Sequence, residues 1–395
     1  MPDIEPIQHA LEEAAGPDKI PGIAAAVATA DGVIFEGAVG RRSVGSPAPM
    51  TTDSVFRIAS MTKAITGAAA MQLVEQGKLA LDQPAKEILP LLGKVQVLTG
   101  FDASGPVMRQ PRIDITLRHL LTHTAGFAYD IWNADIARYA REKEVPAMRT
   151  GKLAALNVPL VRDPGERWEY GVNIDMVGRM VEAASGLDLE AYLQTHILMP
   201  LGMRDTSYIA QASWDNRLAG MHARKADGTL EAIASPPIDE ATREFFPGGG
   251  GLYSTAPDYL RFLRALLNGG ELDGERILKP GTVALMGENH MGPLNVEPLP
   301  TSNSQLSNVV DLMPGIVKKW GLTFLINTEA APAGRSAGSL AWGGLNNTYY
   351  WLDPSAKVAG IFMTQILPFA DEPVLQALDA FESAVYRVVG KKTGK

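Results

Sequence analysis

The chain has 395 residues, 44 acidic against 36 basic side chains, a net charge of −8 and no cysteine. That length predicts one large or two intertwined domains at roughly 150 residues each, and 46% hydrophobic with 20% charged residues is a globular composition, not a disordered one. The missing cysteines exclude a disulfide scaffold, zinc–thiolate and iron–sulfur sites and a cysteine nucleophile, and the acidic balance argues against a nucleic-acid partner.

Residues 1–16 include Asp3, Glu5, Glu12 and Glu13 and have neither the basic nor the apolar stretch of a signal peptide. No apolar run reaches the ~18–20 residues of a membrane span, so no membrane partner and a cytoplasmic location are expected. Ile7, Ala10, Leu11 and Ala14 recur at helical spacing, which predicts a helix over 5–15. Two short apolar runs, 23–28 and 33–39, flank Asp31-Gly32, a strong hairpin signal. Helical patterns follow at 60–77, 115–123, 133–143, 172–185 and 188–197, punctuated by Pro146, Pro159, Pro164-Gly165 and Gly186. Residues 287–317 are polar and aperiodic, and a loop of that length is usually functional or mobile. A second hairpin pairs 348–352 with 358–364 across Asp353-Pro354-Ser355. A last helix over 372–389 would bury Leu375, Leu378, Phe381, Ala384 and Val385. Strands at both ends with helices between them predict an α/β fold of α+β type. Its antiparallel sheet, flanked by helices, comes from residues 1–75 together with 245–395; 76–244 form a mostly helical insertion, with the active site between the two.

Two serine signatures compete. Gly334-Arg335-Ser336-Ala337-Gly338 fits the nucleophile elbow of α/β-hydrolases, which needs a helix directly after the serine and a histidine further on. Here Gly338, Gly343 and Gly344 follow. The six histidines (His9, His119, His123, His196, His222 and His290) all precede Ser336, which therefore reads as part of a small-residue loop entering a strand. The other signature, Ser60-Met61-Thr62-Lys63, is the chain's only Ser-x-x-Lys. It puts Ser60 at the start of a helix with Lys63 one turn on and on the same face. The free N–H groups and positive dipole end of a helix start suit an oxyanion. By themselves these residues also fit a capping serine and a solvated lysine.

Phe56-Arg57-Ile58-Ala59-Ser60-Met61-Thr62-Lys63 resembles the first motif of serine hydrolases related to class C β-lactamases and penicillin-binding proteins. His119-Leu120-Leu121-Thr122-His123-Thr124-Ala125-Gly126 is similar to a second segment of that superfamily. Pro164-Gly165-Glu166-Arg167-Trp168-Glu169-Tyr170 resembles the segment that delivers its catalytic tyrosine. Pro200-Leu201-Gly202-Met203 and the run from Gly248 to Thr255 also match. Trp342-Gly343-Gly344 falls where the β-lactamases have Lys-Thr-Gly, and Trp-Gly-Gly there is similar to family VIII carboxylesterases and related acyltransferases. The resemblance implies a β-lactamase/transpeptidase-like fold and an acyl-enzyme on Ser60, with Lys63 and Tyr170 as the acid/base pair. It also implies an oxyanion hole of the Ser60 N–H and the N–H of Leu345, in the strand after Trp342-Gly343-Gly344. The class C motif is Tyr-x-Asn, whereas Asn173 stands three places after Tyr170, so that asparagine's role is not carried over.

Lys63 can act as a base only if its pKa falls well below the ordinary 10.4 or so. Gly343 and Gly344 would let a substrate approach the backbone closely. Trp342 offers a substrate no cation and no hydroxyl, which predicts weak or no β-lactamase activity and a preference for uncharged esters. Tyr129, Trp132, Phe245 and Phe246 are candidate pocket walls, with core packing as the alternative. His119 and His123 are spaced for zinc but lack the adjacent glutamate, position 120 being Leu, so they read as histidines bonding backbone near a helix end. Gly248–Gly251 lacks the Gly-Lys-Ser/Thr of a phosphate loop and reads as the chain's return to the α/β domain. No metal and no cofactor are expected. The functional expectation is a serine carboxylesterase acting on small to medium uncharged esters, as a monomer or small homo-oligomer. The alternatives are an acyltransferase passing the acyl group to an alcohol, and a non-catalytic ligand-binding relative.

Overall fold

The computed structural model describes residues 3–16, 19–235 and 237–390. Residues 1, 2 and 391–395, at the outer ends of the ranges 1–75 and 245–395, lie outside the described residues. Seven strands make one antiparallel sheet: β1 (Gly22–Thr29), β2 (Gly32–Gly40), β3 (Lys318–Trp320), β4 (Leu325–Asn327), β5 (Leu340–Gly344), β6 (Thr348–Asp353) and β7 (Val358–Met363). Their spatial order is β3-β4-β5-β6-β7-β1-β2. β1 therefore lies between β7 and β2, with Ala26 opposite Ile361, so strands from the two ends of the chain are direct neighbours. Both hairpins form across the turns that Asp31-Gly32 and Asp353-Pro354-Ser355 foretell.

β1, β5, β6 and β7 are buried on both faces, and the edge strand β2 is partly exposed. Successive strand residues point to opposite faces. Trp351 meets Phe381 of the terminal helix α5 (Glu372–Gly390), with ring centroids 5.9 Å apart. Its neighbour Tyr350 meets Tyr259 of α4 (Ala256–Leu267) at 5.3 Å on the other side. The first helix, α1 (Glu5–Ala14), packs beside α5 and against β2. α2 (Thr62–Glu75) consists largely of Ala, Thr and Gly and is buried on every side from Thr62 to Leu73. A helix without a wet face is held from all directions. Its Gly67 lies so close to Thr323 that an added Cβ would fall 2.4 Å from Oγ1. α3 (Asn173–Ser185) packs across α2 and ends on Gly186 in the left-handed conformation.

Region 76–244 contains the expected helices, including Leu117–Leu121 and Ala134–Glu142, together with two ribbons of strand. Val97–Asp102 pairs with Gly105–Arg109, and Met221–Arg224 with Leu230–Ile233. The first ribbon escapes a period-two reading because its register slips between Leu98 and Gly100 and Pro106 interrupts it. One placement is corrected. Trp342-Gly343-Gly344 lies within β5, and Leu345 opens the turn to β6 instead of lying in a strand. Asn347, with φ +58°, closes that turn, and its N–H donates to the Gly344 carbonyl. No helix among the described residues is long and apolar enough to cross a membrane.

Candidate active site

Ser60 sits in a single 3₁₀ turn, Ala59–Met61, that leads into α2. Ala59 has φ +43°, a left-handed conformation that costs a non-glycine residue about 1–2 kcal/mol. The turn is clamped from both sides. Ile58 N–H donates to the Leu252 carbonyl, and Phe56–Arg57 pairs with Tyr253–Ser254. On the sheet side Gly344 approaches so closely that an added Cβ would fall 2.2 Å from the Ile58 carbonyl oxygen. An added Cβ at Gly343 would fall 2.8 Å from the Tyr349 ring. Both glycines thus serve the protein's own packing and bring the end of β5 against the Ser60 turn. Neither the Ser60 N–H nor the Leu345 N–H donates a hydrogen bond among the described residues.

The sequence spacing does place Lys63 beside Ser60: Nζ lies 3.0 Å from Ser60 Oγ and donates to the Gly249 carbonyl at 2.7 Å. Lys63 is 1% exposed. Burial lowers its pKa to about 7, against the opposing pull of the Asp175 carboxylate. Lys63 Nζ also lies 4.7 Å from the centroid of the Tyr170 ring and 5.2 Å from that of Tyr129.

Tyr170 comes from the loop just before α3 and is buried. Burial raises its phenol pKa, and bonding to Ser60 and Trp342 opposes that rise, so the neutral form prevails. The Trp342 indole Nε1–H donates to Tyr170 Oη at 2.8 Å. Trp342 has no other polar side-chain atom, so β5 presents neither cation nor hydroxyl at this position.

Aromatic rings surround Tyr170: Tyr129 at 5.4 Å, Trp132 at 5.3 Å, Trp342 at 5.0 Å and His123 at 4.7 Å between centroids. Trp132 is fixed in turn by its indole N–H donating to Ser307 Oγ in the long 287–317 loop. That loop also lays Val296, Leu299, Val310 and Leu312 along a small cleft bordered by Trp168 and Trp342. Phe245 and Phe246 stand apart from this cluster. Phe246 packs on Tyr208 at 5.2 Å and under the Arg243 guanidinium, and Phe245 is buried.

The two histidines divide. His119 Nδ1 accepts from the Thr116 N–H, closing the N-terminal cap of Leu117–Leu121, as expected of a histidine bonding nearby backbone. His123 departs from that expectation: its Nδ1 accepts from the Asn173 side chain, which also donates to the Phe127 and Glu169 carbonyls. Asn173 therefore ties together the loops on either side of Tyr170. Ser336 lies in the loop before β5, where its N–H donates to Asp353.

Sequence reasoning missed Asp175. It lies in the first turn of α3, is 1% exposed, and accepts from the Tyr129 hydroxyl and the Gly249 N–H, each at 2.9 Å. The glycine run explains itself here. An added Cβ at Gly248 would fall 2.4 Å from the Ile174 carbonyl oxygen, and one at Gly249 would fall 2.5 Å from Asp175 Oδ2.

A buried amine of lowered pKa touching a half-exposed serine, with a neutral phenol alongside, is a constellation for acyl transfer through a covalent intermediate. The chain matches the Beta-lactamase family over residues 7–384 and belongs to that family, a hydrolase-type lineage of the penicillin-binding-protein-like superfamily. Among curated relatives it is 35% identical over 348 residues to the monacolin J acid methylbutanoyltransferase of Aspergillus terreus, covering 86% of this chain and 83% of the relative. It is 30% identical to the lovastatin esterase of Penicillium rubens, covering 93% and 95%. Among solved structures, a mutant simvastatin synthase from Aspergillus terreus superposes with a TM-score of 0.84 at 31% identity, over 98% of this chain and 95% of that one.

Proposed function

We propose that the chain is a serine carboxylesterase that opens uncharged esters of small to medium size through an acyl-enzyme on Ser60. The observation that carries this reading is the 3.0 Å contact between Ser60 Oγ and a buried Lys63 whose pKa lies near neutrality. Near neutral pH a large share of Lys63 is the free amine, which takes the Ser60 hydroxyl proton as Oγ attacks the ester carbonyl. The N–H groups of Ser60 and Leu345 receive the developing oxyanion. As the C–O bond breaks, the Tyr170 hydroxyl protonates the departing alkoxide, and Lys63 ammonium returns a proton to Tyr170. The Trp342 N–H holds Tyr170 and eases the negative charge that passes through it. Water then enters and the steps reverse, releasing the acid and the free serine. Because Trp342 spends its one polar atom on Tyr170, a substrate carboxylate finds no partner on β5. Tyr129 and Trp132 supply apolar walls.

A second reading, transfer of the acyl group to an alcohol in place of water, is favoured by the acyltransferases among the relatives. One experiment tests both. Release of p-nitrophenol from p-nitrophenyl butyrate is followed for the wild-type chain and for Ser60→Ala, Lys63→Ala, Tyr170→Phe and Ser336→Ala, with and without an apolar alcohol. The first three variants are expected to lose roughly a thousandfold or more, and Ser336→Ala to keep most of its activity. New ester exceeding free butyrate in the alcohol-containing reaction would establish transfer as the main reaction. An active Ser60→Ala with an inactive Ser336→Ala would overturn the site.

A further inference from the structure

Lys63 is removed from water, yet it must cycle through a charged form during the reaction. An isolated ammonium in that setting is expensive. The groups facing it are few: Ser60 Oγ from its own turn, the Gly249 carbonyl, the rings of Tyr170, Tyr129 and His123, and Asp175 from α3. Asp175 is the one carboxylate among them.

We propose that Asp175 is the positioning residue and counter-charge of Lys63, working through Gly249 and Tyr129. One carboxylate oxygen holds the Gly249 N–H, and the carbonyl of the same glycine accepts from Lys63 Nζ at 2.7 Å. The other oxygen holds the Tyr129 hydroxyl, and the Tyr129 ring lies 5.2 Å from Lys63 Nζ. Both groups that Asp175 binds are thus groups that face the ammonium. Burial raises the carboxyl's pKa above its ordinary value, while the Lys63 charge and the two donated hydrogen bonds oppose that rise and favour the ionised form. So does the first turn of α3, at the positive end of the helix dipole. An asparagine could meet much of the same geometry without a buried charge, so the charge itself needs a use. Tyr208, held well above its ordinary pKa by burial and then by the Glu190 and Asp175 charges, stays neutral across the working range. It does not compete for the role.

This inference rests on Ser60 and Lys63 being nucleophile and base, and the test separates the two claims. The pH dependence of kcat/KM for p-nitrophenyl butyrate is measured for the wild-type chain, Ser60→Ala, Asp175→Asn and Tyr129→Phe, with thermal melts to show which variants fold. Loss of the carboxylate removes the force that favours the ammonium, so the free amine prevails at lower pH. The acidic limb of Asp175→Asn should fall by about one pH unit below that of the wild type. Tyr129→Phe, which weakens the hold on an ionised Asp175, should move the limb the same way by less, and it decides the matter if Asp175→Asn does not fold. A limb that stays in place while the rate drops uniformly would make Asp175 purely structural and overturn the proposal. A fully active Ser60→Ala would instead overturn the underlying site.

Discussion

At the residue scale, the burial of Lys63 has two consequences that can be measured. As the proposed base, Lys63 must be neutral to act, so kcat/KM should rise with pH through an ionisation near 7 and fall away below it. The same shift bears on stability. The lysine titrates near 7 in the folded chain and near 10.5 when unfolded, so between those values the unfolded state binds more protons and stability rises with pH. Below pH 7 both states are charged and the full cost of burying the ammonium is felt. Lys63→Met should therefore be more stable than wild type by a few kcal/mol below pH 7, and the gap should close by about pH 10, read from denaturant melts. A constant gap across that range would contradict the account of Lys63. Trp342→Phe keeps an aromatic side chain but removes the N–H on Tyr170 and, because Trp342 is buried, leaves a small cavity. It should lower kcat about tenfold to a hundredfold and cost about 1–3 kcal/mol in a denaturant melt.

The legibility of the site follows from local pattern. Ser60 and Lys63 are one helical turn apart, so their contact is written in spacing and the structure brings them within 3.0 Å. Tyr170 is more than a hundred residues from both, and no local rule joins it to them; only the motif resemblance pointed there. Asp175 was hidden because Ile174, Met176 and Val177 surround it with an ordinary buried-helix pattern. An acidic residue in a helix's first turn usually faces water and the dipole. Its burial depends on Gly249, 74 residues away.

At the scale of elements, Ser60 is held by three converging segments: α2, the end of β5 and the short pair of Phe56–Arg57 with Tyr253–Ser254. Glycine makes that convergence possible. Gly344→Ala would press a methyl group against the Ile58 carbonyl, and the strand cannot retreat without breaking its pairing to Thr348. A loss of about 1–3 kcal/mol in a denaturant melt is expected, with a larger loss of the proposed ester turnover because the shift falls on the Ser60 turn. Hairpins closed by Asp-Gly and Asp-Pro-Ser and long periodic helices were legible in the sequence. β3 and β4 were not, because strands of three residues are too short to show alternation and are defined by their neighbours in the sheet.

At the scale of the whole molecule, the sheet is completed only when both ends of the chain arrive. β1 waits for β7, and the terminal helix α5 covers the face bearing Trp351 with Val374, Leu378, Phe381 and Val385. At about 1.5–3 kcal/mol for each large side chain, these contacts approach the whole stability margin of about 5–15 kcal/mol. A chain truncated before Glu372 should show no cooperative melt by circular dichroism, even though the Ser60, Lys63 and Tyr170 segments are all retained.

The central claim is that Ser60 takes up the acyl group. It is tested most directly by mass spectrometry of peptides from the chain quenched during turnover of p-nitrophenyl butyrate, or after reaction with a fluorophosphonate. The expected result is one added acyl or phosphonyl group on the peptide containing Ser60, absent in Ser60→Ala. A label on Ser336 or another residue, or steady ester hydrolysis by Ser60→Ala, would contradict it.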